Sequence, residues 1–262
     1  SWGVKGDYVE DVACDPARGR VFVTGFDNKR GHSNPVQVAF VYAYDSEGKQ
    51  VWKAYGWGGK EVDDRHLMAD TRGYRLAMGP DGKLYVAGES AGGNTMWSRR
   101  PQDLDAKADL VKGDKYQHAF NTRANHITYV GRLDPETGAS EGGTLLLARL
   151  SNNRGNTIRP RALAADAEGR IYVGGASAYG CPMSNGAFGA AEPSGAWFCV
   201  FDKTFARRYA TAFGSGKTAA IALGPNAVVA VGEAKAGVVP HKAFQAEPGG
   251  GVDGWIVALK RR

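Results

Sequence analysis

Residues 15–25 read "DPARGRVFVTG", and close versions of that phrase recur along the chain. They are "GPDGKLYVAG" at 79–88, "DAEGRIYVGG" at 166–175 and, more loosely, "GPNAVVAVG" at 224–232. An alternating stretch precedes each copy: "VEDVAC" (9–14), "YRLAM" (74–78), "RALAA" (161–165) and "AAIAL" (219–223). Alternation with a period of two is the pattern of a strand with one face turned inward. Two such runs around a Gly, Asp or Pro turn predict a hairpin.

A second β-rich hairpin follows each phrase after a variable gap. It reads "VAFVYAYDSEGKQVWKAYG" (38–56), "ITYVGRLDPETGASEGGTLLLARL" (127–150), "AWFCVFDKTFARRYATAFG" (196–214) and, at the end, "GWIVALKRR" (254–262). "DSEG" and "DPETG" are again turn chemistry. Four strands per repeat predict an all-β fold, a β-propeller of four blades with four antiparallel strands each. The blades span about 8–57, 74–150 with an insertion at 89–126, 160–214, and 218–262. The last repeat lacks a fourth strand. The opening "SWGVKG" (1–6) resembles the "VWKAYG" (51–56) that ends the first repeat. The expectation is that this N-terminal strand pairs with the last blade, closes the ring and removes an exposed edge.

The recurring phrase, with "NGAFGAAEPSGAWFCVFD" (185–202) and "HKAFQAEPGGGVDGWIVALK" (241–260), resembles the SBBP-type β-propeller repeats of bacterial extracytoplasmic proteins. The resemblance covers nearly the whole chain. It implies blade structure and a periplasmic, secreted or cell-surface location, and it implies no catalytic residues. That family is usually described as seven-bladed, so two alternatives stand: a compact four-bladed ring, or part of a larger one.

Composition agrees with a folded, turn-rich chain. Of 262 residues, 43% are hydrophobic, which is enough for a core, and 37 are Gly at recurring positions. No run of about 18 apolar residues occurs, so no transmembrane segment is expected. The chain opens at Ser1 without a Met, which points to removal of a leader. The net charge of +6 is scattered, without the basic stripe or motif of a nucleic-acid binder. Three cysteines are too few for a disulfide framework, and none has zinc or haem-attachment spacing. Cys181 and Cys199 flank one loop and are a possible disulfide in an oxidising compartment. Cys14, in an alternating stretch, reads as a buried thiol.

Connection lengths sort to one side. The turns within the first hairpin of each repeat are short. The links between hairpins are long: about Phe26–Gln37, Glu89–His126, Ala176–Gly195 and Glu233–Asp253, with Trp57–Gly73 joining the first two repeats. Long loops without strand pattern are where binding residues concentrate. The candidate partner-binding residues are therefore Asp64, Arg65 and His66 in "EVDDRHLMAD", and Trp97, Arg99, Arg100, Tyr116, His118, Arg123 and His126 in the insertion. Tyr179 in the third repeat completes the set. A short helix is expected between Pro101 and Gly113. Phe22, Tyr85 and Tyr172 share one repeat position and read as core between blades.

No nucleophile elbow is present, and "GSGK" (214–217) lacks phosphate-loop spacing. No cofactor and no metal site are expected. The leading expectation is a non-enzymatic module that binds a protein partner within a larger complex through the long-loop face. Two alternatives stay open. One is a metal-assisted hydrolase or lyase at the ring mouth, using His66, His118, His126 and Arg123. The other is a carbohydrate-binding module with Trp97 or Tyr179 against a sugar or another small ligand.

Overall fold

The computed structural model describes residues 3–4, 6–119, 122–189, 193–234 and 249–261. Each repeat folds into one sheet. Sheet 1 runs in sequence order through β1 (Tyr8–Asp15), β2 (Arg20–Arg30), β3 (Pro35–Asp45) and β4 (Gln50–Tyr55). A one-and-a-half-turn helix, α1 (Gly59–Asp63), leads to sheet 2. That sheet contains β5 (Thr71–Met78), β6 (Leu84–Ala91), β10 (His126–Leu133) and β11 (Ser140–Leu146). Its outer edge takes a fifth, parallel strand, β9 (Leu110–Val111), from the insertion. A two-residue ribbon, β12 (Ala148–Arg149) with β13 (Gly155–Asn156), precedes sheet 3. Sheet 3 is β14 (Ile158–Ala165), β15 (Ile171–Ser177), β16 (Gly195–Phe201) and β17 (Arg207–Ala212). Sheet 4 has three strands, β18 (Lys217–Leu223), β19 (Ala227–Ala234) and β20 (Asp253–Lys260). The molecule is all-β, and apart from β9 every pairing in the four sheets is antiparallel.

The glycine that ends each copy of the phrase has a common cause. The first strand of every sheet carries a bulge at the same place: between Val9 and Asp11, Gly73 and Arg75, Pro160 and Ala162, and Thr218 and Ala220. The bulge swings a backbone carbonyl over the neighbouring strand. A Cβ on Gly25, Gly88, Gly175 or Gly232 would run into the carbonyl oxygen of Tyr8, Arg72, Arg159 or Lys217, respectively. Only glycine leaves room for that approach.

Turn carboxylates are equally repetitive. Asp45 Oδ1 accepts from the Glu47 and Lys49 N–H groups, Asp134 Oδ1 from Glu136 and Thr137, Asp166 Oδ1 from Glu168 and Arg170, and Asp202 Oδ1 from Thr204 and Ala206. These are Asx turns, in which the side chain replaces a backbone acceptor.

Consecutive sheets stack face to face. Phe22, Val41 and Ala43 of sheet 1 share a cluster with Leu76, Val86 and Tyr129 of sheet 2. Tyr85, Ala87 and Val130 of sheet 2 meet Ile171, Val173 and Cys199 of sheet 3. Tyr172, Phe198 and Val200 of sheet 3 meet Ile221, Val228 and Val257 of sheet 4. Phe22, Tyr85 and Tyr172 are 0%, 0% and 3% exposed, so the repeated aromatic position is core between sheets, as expected. The first strands follow one another along a common edge. The Leu76 N–H donates to Asp11 Oδ2 (2.9 Å), Arg75 Nε donates to the Arg161 carbonyl (2.7 Å), and the Arg161 guanidinium lies 4.3 Å from the Tyr74 ring centroid.

Three expectations are corrected. Among the described residues, those before β1 do not pair with β20. Val4 instead packs on the Val23, Phe40, Tyr42 and Tyr44 cluster of sheet 1, and the Asp7 N–H and carboxylate bond Asp27 and the Asn28 N–H. Among the described residues, the apolar cluster on sheet 1 holds Val4, and β20 pairs only with β19. Ser1, Trp2 and Lys5 lie outside the described residues. The predicted helix between Pro101 and Gly113 is instead a hairpin, β7 (Arg99–Arg100) with β8 (Asp103–Lys107), followed by β9. Finally, Cys14 is exposed.

Candidate functional site: the face of long connections

Cross-sheet bonds set the sheets in one sense, so the described long connections gather at one end. The Gln37 N–H donates to Asp70 Oδ1 (2.9 Å), and Thr71 Oγ1 donates to the Gln37 carbonyl (3.0 Å). Thr128 Oγ1 donates to the Ile158 carbonyl (3.0 Å). At the opposite end only short turns meet, as where Arg18 pairs with Glu136 (3.0 Å) and Trp52 Nε1 donates to the Pro135 carbonyl (3.0 Å).

The connections are fastened to one another. α1 lies against the first link, where the His32 N–H donates to Asp63 Oδ2 (2.7 Å) and His32 Nε2 meets Asp64 Oδ1 (2.7 Å). Arg65 clasps Asp105 of the insertion with both Nε (2.7 Å) and Nη2 (2.9 Å). Arg99 Nη1 donates to the Asp105 carbonyl (3.2 Å). Fork-to-carboxylate pairing fixes orientation as well as distance. Asp64, Arg65 and Arg99 therefore tie loops together, while Arg100 is exposed and 3.7 Å from Asp109. His66 is exposed in a left-handed conformation, φ 56°, and its carbonyl accepts from Asn94 Nδ2. Arg123 is also left-handed, φ 50°, and exposed.

Trp97 is fully buried, which removes it from any contact surface. Its indole stacks on Tyr129 (4.4 Å, 8° between planes), meets the edge of Tyr55 at 4.6 Å, and donates Nε1–H to the Glu89 carbonyl (3.0 Å). It anchors the start of the insertion to sheets 1 and 2. Burial pushes the hydroxyl pKa of Tyr55 well up and that of Tyr129 up to about 12, so both stay neutral within this cluster.

Beneath the insertion, Glu89 is 1% exposed and central to a charged group. Its Oε1 accepts from Arg72 Nη1 (2.8 Å) and Tyr74 Oη (2.9 Å) and lies 3.3 Å from His126 Nδ1, while Arg159 Nε is 3.4 Å from Oε2. Burial alone would raise the carboxyl pKa. His126, Tyr74 and Arg159 outweigh it and hold Glu89 below the ordinary carboxylate value. His126 is thereby assigned to a structural ion group joining sheets 2 and 3.

The open part of this face is a cleft of about 340 Å³ between the insertion and the β12–β13 ribbon. It is lined by Lys112, Asp114, Lys115, His118, Arg149 and Asn153. Lys112, Lys115 and His118 are exposed, whereas Arg149 forms the floor at 5% exposure. Arg149 donates to the carbonyls of Lys115, His118 and Asn153, and burial draws its pKa down. Asp114, the one acidic lining group, is engaged by Arg207 through Nε (2.9 Å) and Nη2. Tyr116 lies under the Lys115 and Arg207 cations, 5.1 and 5.2 Å from its ring centroid. Tyr179, 53% exposed, stands beside the ribbon, where its carbonyl accepts from Asn156 Nδ2. The cleft thus presents an excess of positive charge.

Of the residues singled out from sequence, the fold brings His118 to the lining of this cleft, and Tyr116 lies against the Lys115 and Arg207 cations next to it. Asp64, Arg65 and Arg99 take part in a second group of contacts that tie loops together, and Arg100, His66, Arg123 and His126 stand apart from it. Lys112, Lys115, Arg149 and Glu89 went unmarked, although a charge inside the apolar run "TLLLARL" and another directly after "YVAG" were visible signals. Among the described residues no three His, Cys, Asp or Glu side chains converge as metal ligands. Cys181 and Cys199 are thiols buried in the cluster between sheets 2 and 3, and burial raises both pKa values, that of Cys199 to about 12. No helix among the described residues is long and apolar enough to cross a membrane. No model of a known protein family matches the chain, and no curated protein matches it.

Proposed function

We propose that this chain is a non-catalytic, extracytoplasmic module of the β-propeller type that binds a protein partner through its long-connection face. The observation that carries the reading is the cleft: Lys112, Lys115 and His118 ring a buried arginine. An arginine in a fixed concavity is a usual anchor of a protein interface. The excess cation selects a partner segment carrying carboxylates. Rigidity supports the same reading, because loops already tied by Arg65–Asp105 and His32–Asp64 lose little further entropy on binding. The propeller architecture is supported by four consecutive stacked sheets whose first strands share one edge. The extracytoplasmic location rests on the resemblance of the repeats.

Amine cross-linking of the protein in its native extract tests this directly. Links to a partner are expected from Lys112 and Lys115, and a Lys112→Glu/Lys115→Glu variant should lose about tenfold or more in affinity. Partner links concentrated on Lys49 and Lys203, at the short-turn end, would contradict the assignment.

A further inference from the structure

One cross-strand pair, whose second member directly follows the phrase's terminal glycine, can be compared in all four sheets. It joins Tyr8 to Phe26, Arg72 to Glu89, Arg159 to Ala176 and Lys217 to Glu233. In sheet 1 the two rings stack, 4.6 Å between centroids. In sheets 2 and 4 a cation meets a carboxylate, with Arg72 Nη1 2.8 Å from Glu89 Oε1 and Lys217 Nζ 3.2 Å from Glu233 Oε1. Sheet 3 breaks the pattern, because Arg159 is opposite an alanine. Its Nε reaches toward Glu89 Oε2 at 3.4 Å without making a hydrogen bond, and Arg72 and Tyr74 already hold that carboxylate. The Arg159 side chain is 38% exposed, and among the described residues no hydrogen bond occupies its terminal nitrogens.

Two further guanidinium groups crowd the same edge. The bulge in each first strand re-aims one side chain: Glu10, Tyr74, Arg161 and Ala219. Arg161 rests on the Tyr74 ring, 4.3 Å from its centroid, and donates Nη1 to the Pro160 carbonyl (3.0 Å). Arg75 donates Nε to the Arg161 carbonyl (2.7 Å) and Nη1 to the Tyr74 carbonyl (2.6 Å). Both arginines are half-buried, and neither forms an ion pair among the described residues. Arg72, Arg75, Arg159 and Arg161 therefore face the single carboxylate of Glu89. Sheet 1 does not neutralise the surplus: Asp11 Oδ2 accepts the Leu76 N–H (2.9 Å), and Glu10 is exposed without an ion pair among the described residues. Ala219 on the other side is exposed as well, so the edge is open to solvent.

We infer that this edge, between sheets 2 and 3, binds a phosphate or sulfate group through Arg159 and Arg161, with Arg75 beside them. The ligand chemistry follows from the donors. A guanidinium fork gives two parallel hydrogen bonds to the oxygens of such an anion. A dianion matches the surplus charge better than a single carboxylate does, and half-burial of the arginines weakens screening. The Tyr74 ring fixes Arg161, and backbone carbonyls fix Arg75, so these donors are in place before the anion arrives. The site is separate from the cleft of Lys112 and Lys115, and either assignment survives failure of the other.

Titration calorimetry of the chain with inorganic phosphate, inorganic sulfate and glycerol 2-phosphate tests this, the third probe showing whether an ester is admitted. Saturable binding of at least one probe is expected in the millimolar range or tighter. Arg159→Gln and Arg161→Gln should each weaken it about tenfold, and Lys112→Glu/Lys115→Glu should leave it unchanged. Arg159→Gln breaks no hydrogen bond made by the side chain, so weaker binding with unchanged unfolding separates a lost site from a lost fold. The bound anion should also shield Arg159 and Arg161 from phenylglyoxal, read by peptide mass mapping, while the exposed Arg100 is modified as before. Two results would overturn the inference. One is the absence of saturable binding by all three probes. The other is binding that Arg159→Gln leaves intact, including binding abolished by Lys112→Glu/Lys115→Glu, which would move the anion to the cleft.

Discussion

Sheets 3 and 4 are built from the same phrase, yet their equivalent residues live in opposite environments. Phe198 is 1% exposed between two sheets, and Ile256, at the same register, is 74% exposed. Trp197 and Trp255 repeat the contrast more mildly: the first is fully buried with its Nε1–H donated to the Arg159 carbonyl, the second only partly buried. The strand pattern is therefore identical information in both sheets, and burial is decided by what lies alongside. A repeat of this kind specifies a sheet with two apolar faces and leaves the neighbours to complete it.

That difference is sharpened most by truncation. Phe198→Ala should cost about 3–5 kcal/mol in denaturant unfolding, as expected for a large side chain removed from a packed core. Ile256→Ala in the dilute chain should stay within about 0.5 kcal/mol, as at an exposed site. Equal costs would break the contrast. Next in size, Gly175→Ala should destabilise by about 1–3 kcal/mol, since the added methyl meets the Arg159 carbonyl between packed sheets. Gly232→Ala meets the Lys217 carbonyl in the same way but should cost less, because sheet 4 is free to shift on its open side.

The ion group at the other side of sheet 3 adds a pH dependence. Glu89 has a folded pKa below its unfolded value. Its contribution is fully present above about pH 4.5 and is lost as pH falls through the lower folded value. Asp166, Asp134 and Asp202 act with the same sign: burial pushes each up, and hydrogen bonds from turn N–H groups and neighbouring side chains bring each below the ordinary carboxylate value. Glu89→Gln should cost about 1–3 kcal/mol near neutrality and flatten the acid limb of a stability–pH curve. A curve unchanged by the substitution would remove Glu89 from the account. The smallest effect is chemical. Native thiol labelling should modify Cys14 and spare Cys181 and Cys199, whose burial keeps them protonated and out of reach.

Much of the architecture is legible in the sequence because turns and strand periods are local. The phrase, its terminal glycine and the Asp of each turn recur at fixed offsets, and each has a local structural cause. What escaped is set by packing between distant segments. The helix expected between Pro101 and Gly113 is instead a hairpin: Leu104 is buried and Ala106 half-buried between exposed Asp103, Asp105 and Lys107, a strand alternation that only its pairing with Arg99–Arg100 makes decisive. "SWGVKG" looked like an outer strand, but Val4 finds its apolar partner on sheet 1. Trp97 looked like a loop aromatic because nothing local reveals that Tyr55 and Tyr129, far off in sequence, form its pocket. The cleft is legible only in part: His118 is among the loop residues the sequence singles out, while Arg149 becomes its floor only through the ribbon's fold.

Hydrogen–deuterium exchange of β16 and β20 in the dilute chain tests the central claim most directly, that equivalent strands differ only through their neighbours. Local opening costs more where flanking sheets must be breached. The account predicts that Gly195–Phe201 is protected at least about tenfold more strongly than Asp253–Lys260. Equal protection of the two strands in the dilute chain would contradict it.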